Sequence, residues 1–381
     1  MFFKDIAGHT EIKKKLIYTI KNMRVSHALL FAGPEGNGKL AMAIAYAQYL
    51  SCTNKQDDDS CGECPSCKKY QKLIHPDLHF VYPVVRTKKA SKPVSDDYIK
   101  DWRTFILERP YHAFNPWLEH IGVENQQAGI FAQESSEIIR KLNFKTFEAE
   151  YKVMIVWLPE KMNTAAANKL LKMIEEPPPK TLFILVSENQ ERIIKTILSR
   201  TQIVKIPKID EQSMFDKIKE KYNFDDEKIN EIVRVANGSC LKAEKVINSN
   251  EEEISENFQK FSELMRNSYA VNVSELIKWA EEMSGSGRER QKEFFNYSLR
   301  MLRENFIMNI APEVQNKIVY LSGKEKGFSD KFNKFIHQNN INLLNSEFNK
   351  ASRHIERNGY DKLIFLDLAL KTAKYLKIKQ Q

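Results

Sequence analysis

Residues 28–46 read ALLFAGPEGNGKLAMAIAY, an apolar strand, a glycine-rich turn and an alanine-rich helix in succession. Gly33, four residues, then Gly38 and Lys39 give the spacing at which backbone N–H groups wrap phosphate oxygens and a lysine reaches the outer phosphates. A glycine-rich turn alone is a weak signal; with a full strand before it and a full helix after it, it predicts a phosphate-loop fold. The next residue departs from the pattern. A serine or threonine hydroxyl there is the protein's own ligand to the nucleotide's magnesium, and this chain has Leu40. The loop can cradle phosphate but lacks a part needed to hydrolyse it, and whether ATP occupies it stays open.

Working outward, the second decisive stretch is VMIVWL at 153–158, a continuous apolar run of the kind that makes a central parallel strand. In a phosphate-loop ATPase this strand ends in an aspartate that holds magnesium and a glutamate that polarises water. Here it ends Trp157-Leu158-Pro159-Glu160, and Glu160 comes two to three residues too late. Asn163-Thr164 then predicts a helix start, with Ala167, Leu170, Leu171 and Ile174 on one face and Pro177-Pro178-Pro179 as its stop. LFILVS, a helix around Arg192–Leu198, Ser199-Arg200-Thr201 and QIVKI follow. Upstream, Ile12, Leu16, Ile17 and Ile20 recur at helical spacing. The alternation from 28 to 206 is that of a parallel sheet covered on both faces, an α/β class.

Between the first helix and the second strand, Cys52, Cys61, Cys64 and Cys67 follow C-x8-C-x2-C-x2-C spacing. Paired thiolates pinch one ion from adjacent turns, and four of them close a structural Zn2+ site with no open position for chemistry. The hydrophilic TNKQDDDS between the first two cysteines offers no apolar packing, so a metal staple is the expected support for the insert 51–68. A cluster of redox or merely structural cysteines is the competing reading. His75 and His79, in LIHPDLHFVY, read as structural histidines because sulfur already satisfies the zinc, and Cys240 reads as a small buried residue. Residues 84–150 are less legible. A basic segment (Arg86, Lys88, Lys89, Lys92) precedes aromatic-rich helical patterns at Trp102–Leu107 and Tyr111–His120 and a helix at Ser135–Leu142; the lysines lie apart from the aromatics, which favours a solvated connecting loop followed by helix-packing aromatics over a nucleic-acid platform.

The chain has 381 residues, and at roughly 150 residues per domain that suggests two or three domains. No run approaches the ~18 uninterrupted apolar residues of a membrane helix, and MFFKDIAGHTEIKKK lacks the apolar stretch of a secretory signal, so a cytoplasmic protein without membrane contact is expected. Fifty-nine Lys+Arg against 50 Asp+Glu give a net charge of +9 and a pI near 9.0, a balance that suits acidic partners such as nucleic acid without identifying them.

Together GPEGNGK, the four-cysteine insert, His75-Pro76-Asp77, the long apolar strand followed by AAANKLLKMIEEPP, and the Ser199-Arg200 turn resemble the AAA+ module of bacterial clamp loaders, within it the delta-prime type of the DNA polymerase III complex. The resemblance covers residues 1–207 except 84–135, which is longer than the usual family version. Thr201 stands where the family often has cysteine. It implies an AAA+ domain at 1–207, a small helical lid at 208–266 and a helical collar for oligomerisation at 267–381, interrupted by Gly285-Ser286-Gly287 and Gly323. Counting from Gly238 puts Leu241 where clamp-loader ATPases usually place an arginine, a further missing nucleotide contact.

The resemblance further implies a non-hydrolysing subunit that helps to open a sliding clamp and load it onto primed DNA. Arg200, with Ser199 beside it, would act in trans as an arginine finger on a neighbouring subunit. The implied partners are gamma/tau-like and delta-like subunits and, through the assembly, clamp and DNA. The competing function is an independent AAA+ ATPase of DNA repair or recombination with a rearranged magnesium site. A weaker third is a zinc-bearing nucleic-acid binder with a degenerate loop.

Overall fold

The computed structural model describes residues 1–86, 92–123, 128–248, 251–314, 319, 321, 323–357 and 359–379; Lys88 and Lys89 of the basic segment lie outside them. Contacts divide the chain into two units, Met1–Glu244 and Lys245–Gln381. In the first, strands β1 (Ala28–Ala32), β2 (Leu78–Val81), β5 (Lys152–Trp157), β6 (Thr181–Ser187) and β7 (Gln202–Lys205) form an all-parallel sheet in the order β2-β5-β6-β1-β7. Strands β3 (Val84–Val85) and β4 (Ala128–Gly129) pair separately and antiparallel. This is the expected α/β arrangement of an AAA+ module.

Strand side chains alternate between the faces, so β1, β2, β5 and β6 each feed two cores. Leu29 and Phe31, Val153, Ile155 and Trp157, and Leu182, Ile184 and Val186 meet α1 (Thr10–Lys21) and α2 (Lys39–Ser51) on one face. Leu30, Met154, Val156, Phe183 and Leu185 share the other with Ile138, Ala167, Leu170 and Ile174. Helices α3 (Pro65–Gln71), α4 (Ile99–Glu108), α5 (Phe114–His120), α6 (Ala132–Asn143), α7 (Thr164–Glu175) and α8 (Lys195–Leu198) complete the module. Helix α7 starts as the sequence predicts, the Asn163 side chain accepting from Ala166 N.

The aromatics between 98 and 120 pack from helices, as the sequence reading favours. Trp102, Phe105 and Trp117 are buried in the same core as α2. The helix predicted from Tyr111 begins at Phe114, because Pro110 holds Arg109 extended (φ −160°, ψ 160°), ends α4 at Glu108 and leaves a non-helical turn.

Three helices follow the sheet, α9 (Glu211–Lys221), α10 (Asp226–Ala236) and α11 (Cys240–Asn248). The expected lid boundary at 266 is not a break in the chain. The helix Glu251–Ala270 runs through 266 and 267, because Phe261, Leu264 and Met265 keep helical spacing and sit in the core of the second unit; the chain turns only at Val271, where φ is 55°. That unit is helical. Trp279, Phe294, Phe295, Phe348 and Phe365 make its centre, with Phe295 and Phe365 stacked at 5.3 Å.

Candidate functional site

The phosphate loop leaves β1 at the carboxyl edge of the sheet, where an open parallel sheet takes its ligands. A Cβ on Gly33 would lie 1.9 Å from Ile206 O, so only glycine fits against the end of β7, and Gly36 and Gly38 carry φ of 77° and 83°. The Asn37 amide donates to Ile206 O (2.7 Å) and Pro207 O (3.1 Å), while Gly36 O accepts from Cys240 N (2.9 Å). Lys39, 4% exposed, donates from Nζ to Pro34 O at 2.9 Å and lies 3.7 Å from Glu188 Oε1. Burial lowers the Lys39 ammonium below its usual range, against the pull of Glu188. Burial likewise pushes the Glu188 carboxyl up to about 7, with Lys39 drawing it down.

Leu40 and Trp157 are both buried on one face of the sheet. The expected magnesium hydroxyl and strand-end carboxylate are thus replaced by apolar side chains in the folded protein as in the sequence. Glu160 accepts at Oε1 from Glu188 N (2.8 Å) and Asn189 N (3.1 Å) and ties the end of β5 to the end of β6.

Cys52, Cys61, Cys64 and Cys67 place their four Sγ atoms within 4.8 Å of one another. Two of the separations are 3.6 Å (Cys52 to Cys61) and 3.9 Å (Cys61 to Cys67), against an edge of about 3.8 Å for a tetrahedron with 2.3 Å Zn–S bonds. The donor set fits zinc. N–H groups of Cys61, Cys64 and Cys67 each point at the Sγ of the preceding cysteine at 3.4 Å, a pattern that favours thiolates. His75 and His79 stand outside this cluster; His75 Nε2 is 3.2 Å from Glu148 Oε1. Asp77 of the same motif accepts from the backbone N–H of Phe147, Glu148 and Ala149 and so pins the loop that leads into β5.

Arg200 lies between α8 and β7, part-exposed. Its guanidinium pairs with Glu175, the last residue of α7, and Nη1 donates to Thr196 O (2.9 Å) and Ser199 Oγ (3.2 Å). Ser199 therefore helps to orient Arg200. Helix α2 links the phosphate loop to the four-cysteine cluster at its two ends, starting at Lys39 and ending beside Cys52.

The family model for the DNA polymerase III delta subunit matches residues 8–210, just over half of the chain. The chain belongs to that family. A DNA polymerase III subunit delta' of Bacillus subtilis is 27% identical over 208 residues, 54% of this chain and 50% of that protein. The subunit delta' of Pseudomonas aeruginosa is 31% identical over 175 residues, 46% and 41% of the two chains. A DNA polymerase III subunit gamma of Buchnera aphidicola is 26% identical over 247 residues, 64% and 56%. The matches cover about half the length of these relatives. A solved gamma subunit-related protein of Thermotoga maritima aligns over 96% of this chain and 99% of its own at 13% identity, with a TM-score of 0.38. No helix among the described residues is long and apolar enough to cross a membrane.

Three residues at these sites are missed by sequence reasoning. Glu188 follows LFILVS directly, and an acid at the end of a buried strand is a usable signal. Glu175 reads as part of a helix stop, and its pairing with Arg200 joins elements 25 residues apart. Tyr111 reads as helical; in the fold its hydroxyl accepts from Ala7 N at 2.9 Å, a contact across 104 residues that no local pattern announces.

Proposed function

We propose that this chain is a non-hydrolysing, delta-prime-like subunit of the clamp loader that opens a sliding clamp and loads it onto primed DNA in the cytoplasm. In this reading it lends Arg200 in trans to the nucleotide of a gamma/tau-like neighbour, a delta-like subunit completes the ring, and the helical unit 245–381 serves as the oligomerising collar. Zinc at Cys52, Cys61, Cys64 and Cys67 is structural. One observation carries the proposal: the module that has buried Leu40 and Trp157 in place of its own magnesium chemistry keeps Arg200 on a part-exposed turn, held by Glu175 and nearby oxygens. A carboxylate partner on the surface is readily exchanged for a phosphate, since an exposed ion pair is worth only about 0–1 kcal/mol. A guanidinium against a γ-phosphate neutralises charge that builds in the transition state, an effect of roughly 10³ to 10⁵ in rate for GTPases.

The test uses the reconstituted complex. Arg200→Ala is expected to leave the chain folded and incorporated while lowering DNA- and clamp-stimulated ATPase of the neighbouring subunit, and Arg200→Lys rescues poorly because it lacks the planar fork. An Arg200→Ala complex that hydrolyses ATP and loads clamps at the unaltered rate overturns the trans role.

A further inference from the structure

The long segment after β2 has a destination. Tyr82 and Trp102 stack at 4.0 Å with planes 12° apart, and Trp117 stands edge-on to each of them at 5.2 Å. Trp157 joins at 5.3 Å from Trp102. The Trp117 indole N–H donates to Pro83 O at 2.8 Å, so the one polar atom of that side chain is satisfied inside the cluster. Trp157 thus has a positive role where a phosphate-loop ATPase keeps its carboxylates: it is part of the apolar platform on which α4 and α5 sit.

Docked there, the turn between these helices lies against the phosphate loop. The Tyr111 ring approaches so closely that a Cβ on Gly38 would be 3.1 Å from its Cε1, and the Tyr111 hydroxyl is fixed by Ala7 N. His112, packed 5.0 Å from the Phe105 ring, donates from Nε2 to Phe105 O at 3.1 Å. Pro110, His112, Leu40 and Trp157 enclose Gly36, Gly38 and Lys39 around a recess no larger than about one water molecule. Within it the lysine already has a carbonyl acceptor at Pro34 and a carboxylate at Glu188. The room beside the loop and the Lys39 amine that a nucleotide's phosphates need are both taken by this chain's own groups.

We propose that the turn Arg109–Ala113 is a plug that competes with nucleotide for the phosphate loop, with Glu188 standing 3.7 Å from the Lys39 amine that phosphate would otherwise meet. The excluded ligand class is a nucleoside di- or triphosphate. The loop keeps its shape because Asn37 and Lys39 hold it from inside, and nucleotide can enter only if the turn leaves. This holds whether or not Arg200 acts on a neighbour.

Titration of the full chain with a fluorescent N-methylanthraniloyl ATP and magnesium is expected to give no saturable signal at micromolar probe. A Tyr111→Gly/His112→Gly double variant, with its fold checked by tryptophan fluorescence and zinc content, is expected to bind at least about tenfold more tightly, since removing a closed state raises the competent fraction. Unlabelled ATP should compete, and Lys39→Ala in the double variant should abolish the gain. Hydrogen exchange of the unaltered chain with millimolar Mg-ATP keeps the idea testable should the double variant not fold. Residues 33–39 and 105–113 should either stay unchanged together, or the first gain protection only as the second loses it. Equal affinity of parent and folded double variant overturns the plug, as does protection of 33–39 with 105–113 undisturbed.

Discussion

His112 offers the sharpest energetic test of the packing around the phosphate loop. Burial drives its pKa down to about 3, a bond to the Phe105 carbonyl opposes that, and the nearby Arg109 adds to it. In the unfolded chain the same imidazole titrates near ~6.5. A folded pKa below the unfolded one means stability that is fully present above the unfolded value and is lost as pH falls towards the folded value. A pH of ~5 lies about 1.5 below the unfolded pKa while the folded side chain is still neutral, which removes about 2 kcal/mol. His112→Gln places an amide near the Nε2 position and cannot titrate. Urea unfolding followed by the fluorescence of Trp102, Trp117 and Trp157, at pH ~7.5 and ~5, should show the parent losing about 2 kcal/mol more than the variant across that interval. Burial also lowers the pKa values of His9, His75 and His79, but these are common to both proteins and cancel in the difference. Equal losses in parent and variant would refute a neutral, buried His112.

Zinc is the second quantity to measure: elemental analysis of protein purified without chelator should give about one zinc per chain, which a Cys64→Ser/Cys67→Ser variant loses, and hydrogen exchange should loosen 51–68 more than the sheet when the metal is removed. Full retention of zinc in that variant excludes the four-cysteine site. The third is Asp77→Ala, which leaves three backbone N–H donors of the 147–149 loop without their acceptor and should cost about 2–4 kcal/mol in urea unfolding at neutral pH. Burial works against the Asp77 carboxylate, yet those bonds outweigh it and hold the pKa below the usual value, so the contribution is present above pH ~4 and fades as pH falls further. A loss under about 0.5 kcal/mol contradicts the pinning role.

What can be read from the sequence is whatever is local and periodic. The phosphate loop, the strands ALLFA and LFILVS and the cysteine spacing each carry their information within a dozen or so residues, and each lies where the sequence places it. The departures at Leu40 and Trp157 are equally plain, because the positions are fixed by counting from the loop and along the strand. Two features are not legible, for opposite reasons. The domain boundary is hidden because the units part at Glu244/Lys245 inside the continuous helix α11, while the helix Glu251–Ala270 runs unbroken past 266, and what divides the units is the three-dimensional distribution of contacts. The 98–120 region shows its aromatics openly, but their meeting with Trp157 and Gly38 depends on tertiary placement.

The apolar end of β5 and the aromatics of 98–120 are physically linked. By strand alternation Trp157 points to the same face as Val153 and Ile155, into the core that also holds Leu40, Tyr82 and Trp102. A carboxylate at that position would bring a charge into contact with stacked aromatic rings, where its desolvation costs several kcal/mol, a penalty the group would escape by staying protonated. A protonated acid neither holds magnesium nor polarises water. The double substitution Leu40→Thr/Trp157→Asp therefore does not rebuild a hydrolytic site while α4 and α5 remain docked. Conversely, a face of the sheet already apolar at Leu40 and Trp157 is one on which Trp102, Phe105 and Trp117 can be buried at no electrostatic cost. In the proposed reading, the apolar residues at Leu40 and Trp157 and the closure of the loop reinforce one another, and the part-exposed Arg200 on the β7 side of the module is free of both constraints.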